Sequence, residues 1–132
     1  MYTKAAEQGL AFGQYYLGAF CLLGEGVSRD YAKTAEWYTK AAEQGHTSAQ
    51  FFLGISYHLG QGVPKDQAKA AEWCTRAAEQ GHIHAQSTLG FFYVHGVGVS
   101  QDYAKAVLWY TRAAEQGHES AKEALGRSKN SK

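Results

Sequence analysis

The string Ala-Ala-Glu-Gln-Gly occurs four times in this chain, starting at Ala5, Ala41, Ala77 and Ala113, always 36 residues apart. A fixed internal period of about 20 to 50 residues is the mark of a solenoid, a propeller or an array. In such a fold each unit buries its apolar face against its neighbours, so the core is stretched rather than central. Function is then expected on a continuous surface rather than in a pocket.

Other residues fall in the same phase. Leu17-Gly18, Leu53-Gly54, Leu89-Gly90 and Leu125-Gly126 repeat, as do Gly24, Gly60 and Gly96. Gly26-Val27, Gly62-Val63 and Gly98-Val99 follow, then Asp30, Asp66 and Asp102, then Trp37, Trp73 and Trp109. Each unit thus holds two apolar segments of helical spacing divided by Gly-rich punctuation. In the second unit Gln50, Leu53, Gly54 and Tyr57 recur at i, i+3, i+4 and i+7, one stripe on a first helix of about 12 residues. Gly60 ends that helix in a left-handed turn, and the loop Gly60 to Lys65 reverses the chain with Val63 tucked inward. Asp66 caps the second helix, which runs through Ala68, Ala71, Trp73 and Ala77-Ala78 until Gly81 stops it. Ala68, Ala71, Ala78 and Gly54 let backbones approach closely, and the tryptophan is expected to fill the space between units. Strands are not expected, because no segment alternates with period two.

One repeat domain is expected over 1–127. It comprises a half helix at 2–9, repeats at 10–45, 46–81 and 82–117, and a capping helix at 118–127. Residues 128–132 read as a disordered tail. The last helix carries the polar cover a solenoid end needs, in Glu119, Lys122, Glu123 and Arg127; the front end lacks one. This asymmetry suggests a piece of a longer array, the alternative being a short protein with a frayed front turn.

With 132 residues and a formal net charge of +1, the chain carries no basic footprint for nucleic acid and no basic amphipathic segment for a membrane surface. Its apolar stretches are too short to span a bilayer, and no apolar region follows Met1-Tyr2-Thr3-Lys4 as a signal peptide requires. Cys21 and Cys74 stand where other units mostly carry tyrosine, so each reads as a small buried hydrophobe. A bridge between them is the alternative.

The phased residues resemble the Sel-one-like repeat (SLR) family, relatives of the tetratricopeptide repeat. The family pattern reads here as Ala49 to Tyr57, Gly60 to Asp66 and Lys69 to Gly81, with Cys74 for the usual tyrosine and Arg76 for lysine. The first unit departs most, with Gly13 for alanine and Cys21 for tyrosine. The resemblance implies an all-α, right-handed superhelical solenoid of stacked antiparallel helix pairs. It implies a protein-binding scaffold or adaptor of the bacterial kind, with no enzyme activity and no cofactor.

In such superhelices the first helix of each pair lines the concave side. The face opposite the Leu53–Tyr57 stripe is then the groove. It carries Phe51, Phe52, Ile55 and His58 in the second unit, with Ser48 and Leu59 beside them. In the first unit the same offsets give Phe12, Tyr15, Tyr16, Ala19, Leu22 and Leu23. In the third they give His84, Ser87, Thr88, Phe91, Val94 and His95. A contiguous aromatic patch of this kind marks an interaction site. Phe52 and Ile55 are expected in the groove, while Tyr15 and Phe51 lie either there or in the seam between first helices. The expected partner is a peptide or protein. The rival is self-association, head to tail, through the bare edge near Tyr2, Leu10 and Phe12.

Other chemistry is set aside. His46, His82 and His118 follow glycine at the repeat period and belong to the helix-start turn. His58, His84 and His95 lack the carboxylate or cysteine that would complete a metal site. Glu7, Glu43, Glu79 and Glu115 read as outer-face residues in helical charge pairs. The Gly-x-Gly loops lack the strand that precedes a nucleotide loop.

Overall fold

The computed structural model describes Ala11, Gln14, Tyr15 and residues 30–130, the side chains of 127–130 excepted. Six helices run through the long segment, with no strand among the described residues. They are α1 (Tyr31–Glu43), α2 (Thr47–Leu59), α3 (Gln67–Glu79), α4 (Ile83–His95), α5 (Tyr103–Glu115) and α6 (Glu119–Asn130). The first helices of the pairs are α2, α4 and α6; the second helices are α1, α3 and α5. Each packs against its neighbours in sequence, which is the connectivity of a helical solenoid.

Both kinds of helix start are written in side chains. Asp30, Asp66 and Asp102 cap the second helices, each carboxylate accepting from the backbone N–H three residues on, at 2.9 to 3.1 Å. The N–H of Asp66 donates to the Tyr57 carbonyl at 3.0 Å and that of Asp102 to Tyr93 at 2.9 Å, which ties each loop to its own first helix. His46 and His82 cap α2 and α4, their ring nitrogens accepting from Ala49 and Ala85. Gly60 and Gly96 end the first helices at φ 70° and 68°, the left-handed turn expected of Gly60.

The second glycine of each loop has a further reason to be there. A Cβ on Gly62 would lie 2.1 Å from the carbonyl oxygen of Tyr31, and one on Gly98 2.0 Å from that of Gln67. Each loop therefore sits directly on the start of the second helix one repeat earlier. No side chain fits between them.

Between the helices the core is built from small residues: Ala41, Ala42, Ala49, Ala70, Ala77, Ala78 and Ala85, with Leu53, Leu89 and Phe92 filling the larger spaces. Gly54 faces the Cys74 sulfur and Gly90 the Tyr110 ring, each too close to admit a Cβ. Of the three tryptophans, Trp109 is buried in the core as expected, whereas the two earlier repeats differ. Tyr38 and Cys74, one residue later, are the buried groups, while Trp37 and Trp73 are only half-buried. One residue is about 100° of helix, and it is position 74 that meets the Gly54 backbone. All three tryptophan rings lie under a cation, Lys40, Arg76 or Arg112, at 4.7, 4.6 and 4.7 Å.

Two further expectations change, and one holds. Helix α6 runs to Asn130, past the Arg127 boundary where a tail was expected. The exposed charge pairs of the second helices use Glu36 with Lys40 and Glu72 with Arg76, rather than Glu43 or Glu79. Cys74 is a free thiol whose burial pushes its pKa up to about 12, so it behaves as the small hydrophobe expected; Cys21 lies outside the described residues.

Candidate functional site

The face of the first helices opposite the Leu53 stripe carries a band of rings ordered by the repeat. Tyr15 stacks on His46 at 4.6 Å and on Tyr38 at 5.5 Å. One repeat on, Phe51 stacks on His82 at 4.7 Å. Both rings are half-buried, wedged against the capping histidine of the next first helix, so this offset lies in the seam. In the third repeat the offset is Ser87, and the ring ladder stops.

The neighbouring offset faces outward. Phe52 is 37% exposed, resting on Tyr38 at 5.8 Å and edge-on to Phe51 at 5.2 Å. Phe91, in the phase of Ile55, is 45% exposed and lies 4.4 Å from the His95 ring. Ile55 is half-buried, and His95 and Leu59 are exposed. Of the residues the sequence nominated, Phe12, Tyr16, Ala19 and Leu22 lie outside the described residues.

The structure brings Ile55, His58, Ser87, Thr88 and Phe91 together around one cleft of about 390 Å³, completed by Phe92, Tyr110, Ser120 and Ala124. It crosses three successive first helices. No Asp, Glu, Lys or Arg lines it, so its chemistry is an apolar floor with hydroxyls and one imidazole at the edge. His58 is held in place, with Nδ1 2.8 Å from Gln67 Oε1 and its carbonyl accepting from Gln67 Nε2 at 3.3 Å. With the amide oxygen as acceptor, the imidazole proton sits on Nδ1.

Ser120 and Ala124 escaped the sequence reading, although they stand at the offsets of His84 and Thr88 one repeat later. Extending the same phase into the last helix finds them. Tyr110 carries no such signal, because it reaches the cleft from a second helix.

The remaining histidines are occupied by structure. His82 and His118 accept backbone N–H bonds through Nδ1 at 3.1 Å, and His118 Nε2 lies 3.3 Å from His84 Nδ1. Burial, then the neighbouring His84, holds both capping imidazoles below the ordinary histidine pKa. Among the described residues no group of three His, Cys, Asp or Glu could hold a metal ion, and no helix is long and apolar enough to cross a membrane.

Comparison with known proteins accounts for the period. Residues 1–10, 11–46, 47–82 and 83–118 match the Sel1 repeat. The chain belongs to the Sel1 repeat family. Solved Sel1 repeat arrays share its architecture. A crystal structure of c5321, described as a protective antigen of uropathogenic Escherichia coli strains displaying an SLR fold, is 46% identical with a TM-score of 0.87, over 93% of this chain and 26% of that one. A Sel1 repeat protein from Oxalobacter formigenes is 40% identical with a TM-score of 0.83, over 88% and 48%. Helicobacter pylori cysteine rich protein B is 27% identical with a TM-score of 0.70, over 89% and 96%. The chain thus spans about a quarter of the first relative and about half of the second. A comparison with curated proteins returned no match. Sel1 repeat proteins are in general non-catalytic scaffolds that bind other proteins.

Proposed function

We propose that these Sel1 repeats hold a protein partner on the face of their first helices, and that the cleft between Ile55 and Ala124 receives an apolar side chain of a neutral peptide segment. The observation that carries this reading is the outward-facing run of Phe52, Ile55 and Phe91 beside a cleft without ionised carboxylates or bases. Large rigid rings lose little rotamer freedom on burial, so they give more binding energy per contact than flexible side chains. The hydroxyls of Ser87, Thr88, Tyr110 and Ser120 supply hydrogen bonds at the rim, where they fix orientation. The face acts by binding alone, without catalysis.

A peptide-display library selected on the immobilised chain tests this. Selected sequences are expected to share an aliphatic or aromatic anchor without neighbouring charges. Phe52→Ser with Phe91→Glu should weaken them by about tenfold or more, the loss of about 1.4 kcal/mol expected of one anchoring ring. Unchanged helicity by circular dichroism would show that the fold is kept. Selected peptides that bind the double variant as tightly as the parent would rule the face out.

A further inference from the structure

The cleft is made by departures from the repeat. Where the second repeat carries Phe51-Phe52 the third carries Ser87-Thr88, so two rings give way to two small hydroxyl side chains beside Phe91. His58 departs as well, since the same phase holds Leu22 and Val94. So does its partner Gln67, which stands in the phase of Tyr31 and Tyr103. Neighbouring repeats stack without these four residues. The fold nevertheless gathers His58, Ser87 and Thr88 around the cleft, with Gln67 bonded to His58.

That bonded pair sets the polarity of the cleft. Gln67 Nε2 donates to the His58 carbonyl at 3.3 Å, which turns the amide oxygen to His58 Nδ1 at 2.8 Å. Nδ1 therefore carries the ring proton, and Nε2 is a bare acceptor. Among the described residues Nε2 meets no donor. Ser87, Thr88 and Ser120 also keep their hydroxyls unbonded there, whereas Ser56 and Thr75 donate to carbonyls one turn back, at 3.0 and 2.6 Å. A hydroxyl can turn to donate or to accept. An imidazole held in one tautomer cannot, so His58 selects a donor.

The surroundings of His58 narrow the kind of donor. With no Asp or Glu lining the cleft, an ammonium or guanidinium would be buried there without a counter-charge. The His58 ring stands 5.2 Å from Phe92, and Phe91 lies 6.4 Å from Phe92, so aromatic surface adjoins the acceptor. We propose that the side chain received by the cleft is tryptophan, its indole against Phe91 and Phe92 and its N–H given to His58 Nε2. This depends on the first-helix face being a peptide site, and adds which residue that site selects. Indole brings one donor and no acceptor, the complement of an acceptor-only nitrogen. A tyrosine hydroxyl brings an acceptor as well, which His58 cannot satisfy. Phenylalanine and leucine would bury Nε2 without a partner.

Peptides selected on the immobilised chain supply the probe, each resynthesised with tryptophan or 3-benzothienylalanine at the anchor. Benzothienylalanine keeps the bicyclic shape of indole but puts sulfur in place of the N–H. By isothermal titration calorimetry the tryptophan peptide is expected to bind about five- to tenfold tighter, the effect of one hydrogen bond. On His58→Phe, with helicity checked by circular dichroism, the two peptides should bind alike. The comparison on the parent chain needs no variant, and decides the matter alone should His58→Phe lose helicity. A selection dominated by tyrosine, phenylalanine or aliphatic anchors would overturn the assignment while leaving the peptide site intact. So would a benzothienyl peptide as tight as its tryptophan twin on the parent. A tryptophan preference that survives in His58→Phe would place the indole N–H on another acceptor and remove His58 from recognition. Selected peptides indifferent to Phe91→Glu would instead remove the peptide site itself.

Discussion

A histidine can cap a helix only while Nδ1 is free to accept, and this chain uses one to start every described first helix. His46, His82 and His118 each accept from a backbone N–H at 3.1 Å, so the neutral ring carries its proton on Nε2. From His118 that proton then points to His84 Nδ1. A proton added to a capping ring breaks the cap, and one added to the His84–His118 pair costs either the cap or the bridge between them. Burial lowers all three capping pKa values from 6.5, with His84 adding to the effect at His82 and His118. Below that value the unfolded chain binds more protons than the folded one, so stability present above pH 6.5 is lost as the pH falls through it. The thermal midpoint, followed by circular dichroism, is expected to drop between about pH 7.5 and about pH 5. Asparagine caps without titrating; replacing all three histidines by asparagine should flatten the profile in that window. A fall of equal size in the triple variant would place the acid sensitivity elsewhere. The sequence located these histidines at the helix starts, since the glycine before each marks the turn. That their rings accept a hydrogen bond depends on a side-chain torsion that periodicity does not encode.

At the level of helices, one polar device joins the repeats at the α1–α2 and α3–α4 junctions, while its phase at α5–α6 is held by Lys122, which pairs with Glu119 instead. Buried Gln50 donates to the Ala42 carbonyl at 3.1 Å and accepts from Gln80 Nε2 at 2.6 Å. Gln86 does the same with Ala78 at 3.2 Å and Gln116 at 2.7 Å. Gln44 reaches Gln14 in the same manner at 2.5 Å. Each amide thus ties the preceding second helix to both helices of its own repeat, with its donor and acceptor both used. Helical spacing identified Gln50 as an inward residue, but it assigned no role to the glutamine of the Ala-Ala-Glu-Gln-Gly string. Its partner lies 30 residues away across a packed interface, a distance set by helix approach rather than by local pattern. The half-buried Trp73 has the same origin, because the closeness of the Gly54 backbone to Cys74 decides which of the two adjacent positions is buried in that repeat. Gln86→Leu keeps the volume but removes two hydrogen bonds, leaving the Ala78 carbonyl with the Gly81 N–H alone and the Gln116 amide with the Arg112 carbonyl alone, so it should destabilise by about 1–3 kcal/mol. Gln86→Glu should cost more at neutral pH, because a carboxylate cannot donate to Ala78 and faces its oxygen. Urea unfolding of the two variants checks the order; equal stability of Gln86→Glu and the parent would remove the clamp from the account.

Among the described residues, the helices are held mainly by contacts with their neighbours in sequence, so rigidity is not uniform. Helices α2 to α5 are each packed between two others, whereas α6 packs principally against α5. The site inherits that gradient. Ile55, His58, Phe91 and Phe92 stand on the well-held helices, while Ser120 and Ala124 close the cleft from the loosely held α6. The architecture was legible because a 36-residue period leaves few solutions, and five of the nine cleft residues followed from the groove offsets. Tyr110 did not, since the approach of a second helix to that face is a property of the stacked array. The gradient gives the cleft a response that a uniformly rigid one would lack: a ligand seated on Phe91 must also hold Ser120 and Ala124, and so must order α6. Amide exchange of the free chain should show α6 opening well before α2 to α4. Addition of a peptide selected on the parent chain should slow exchange in α6 more than in any other helix, because a helix already closed has little further protection to gain. With Phe91→Glu the same peptide should leave α6 unchanged. Protection confined to α1 and α5, or spread evenly along the array, would put the bound peptide somewhere other than this cleft.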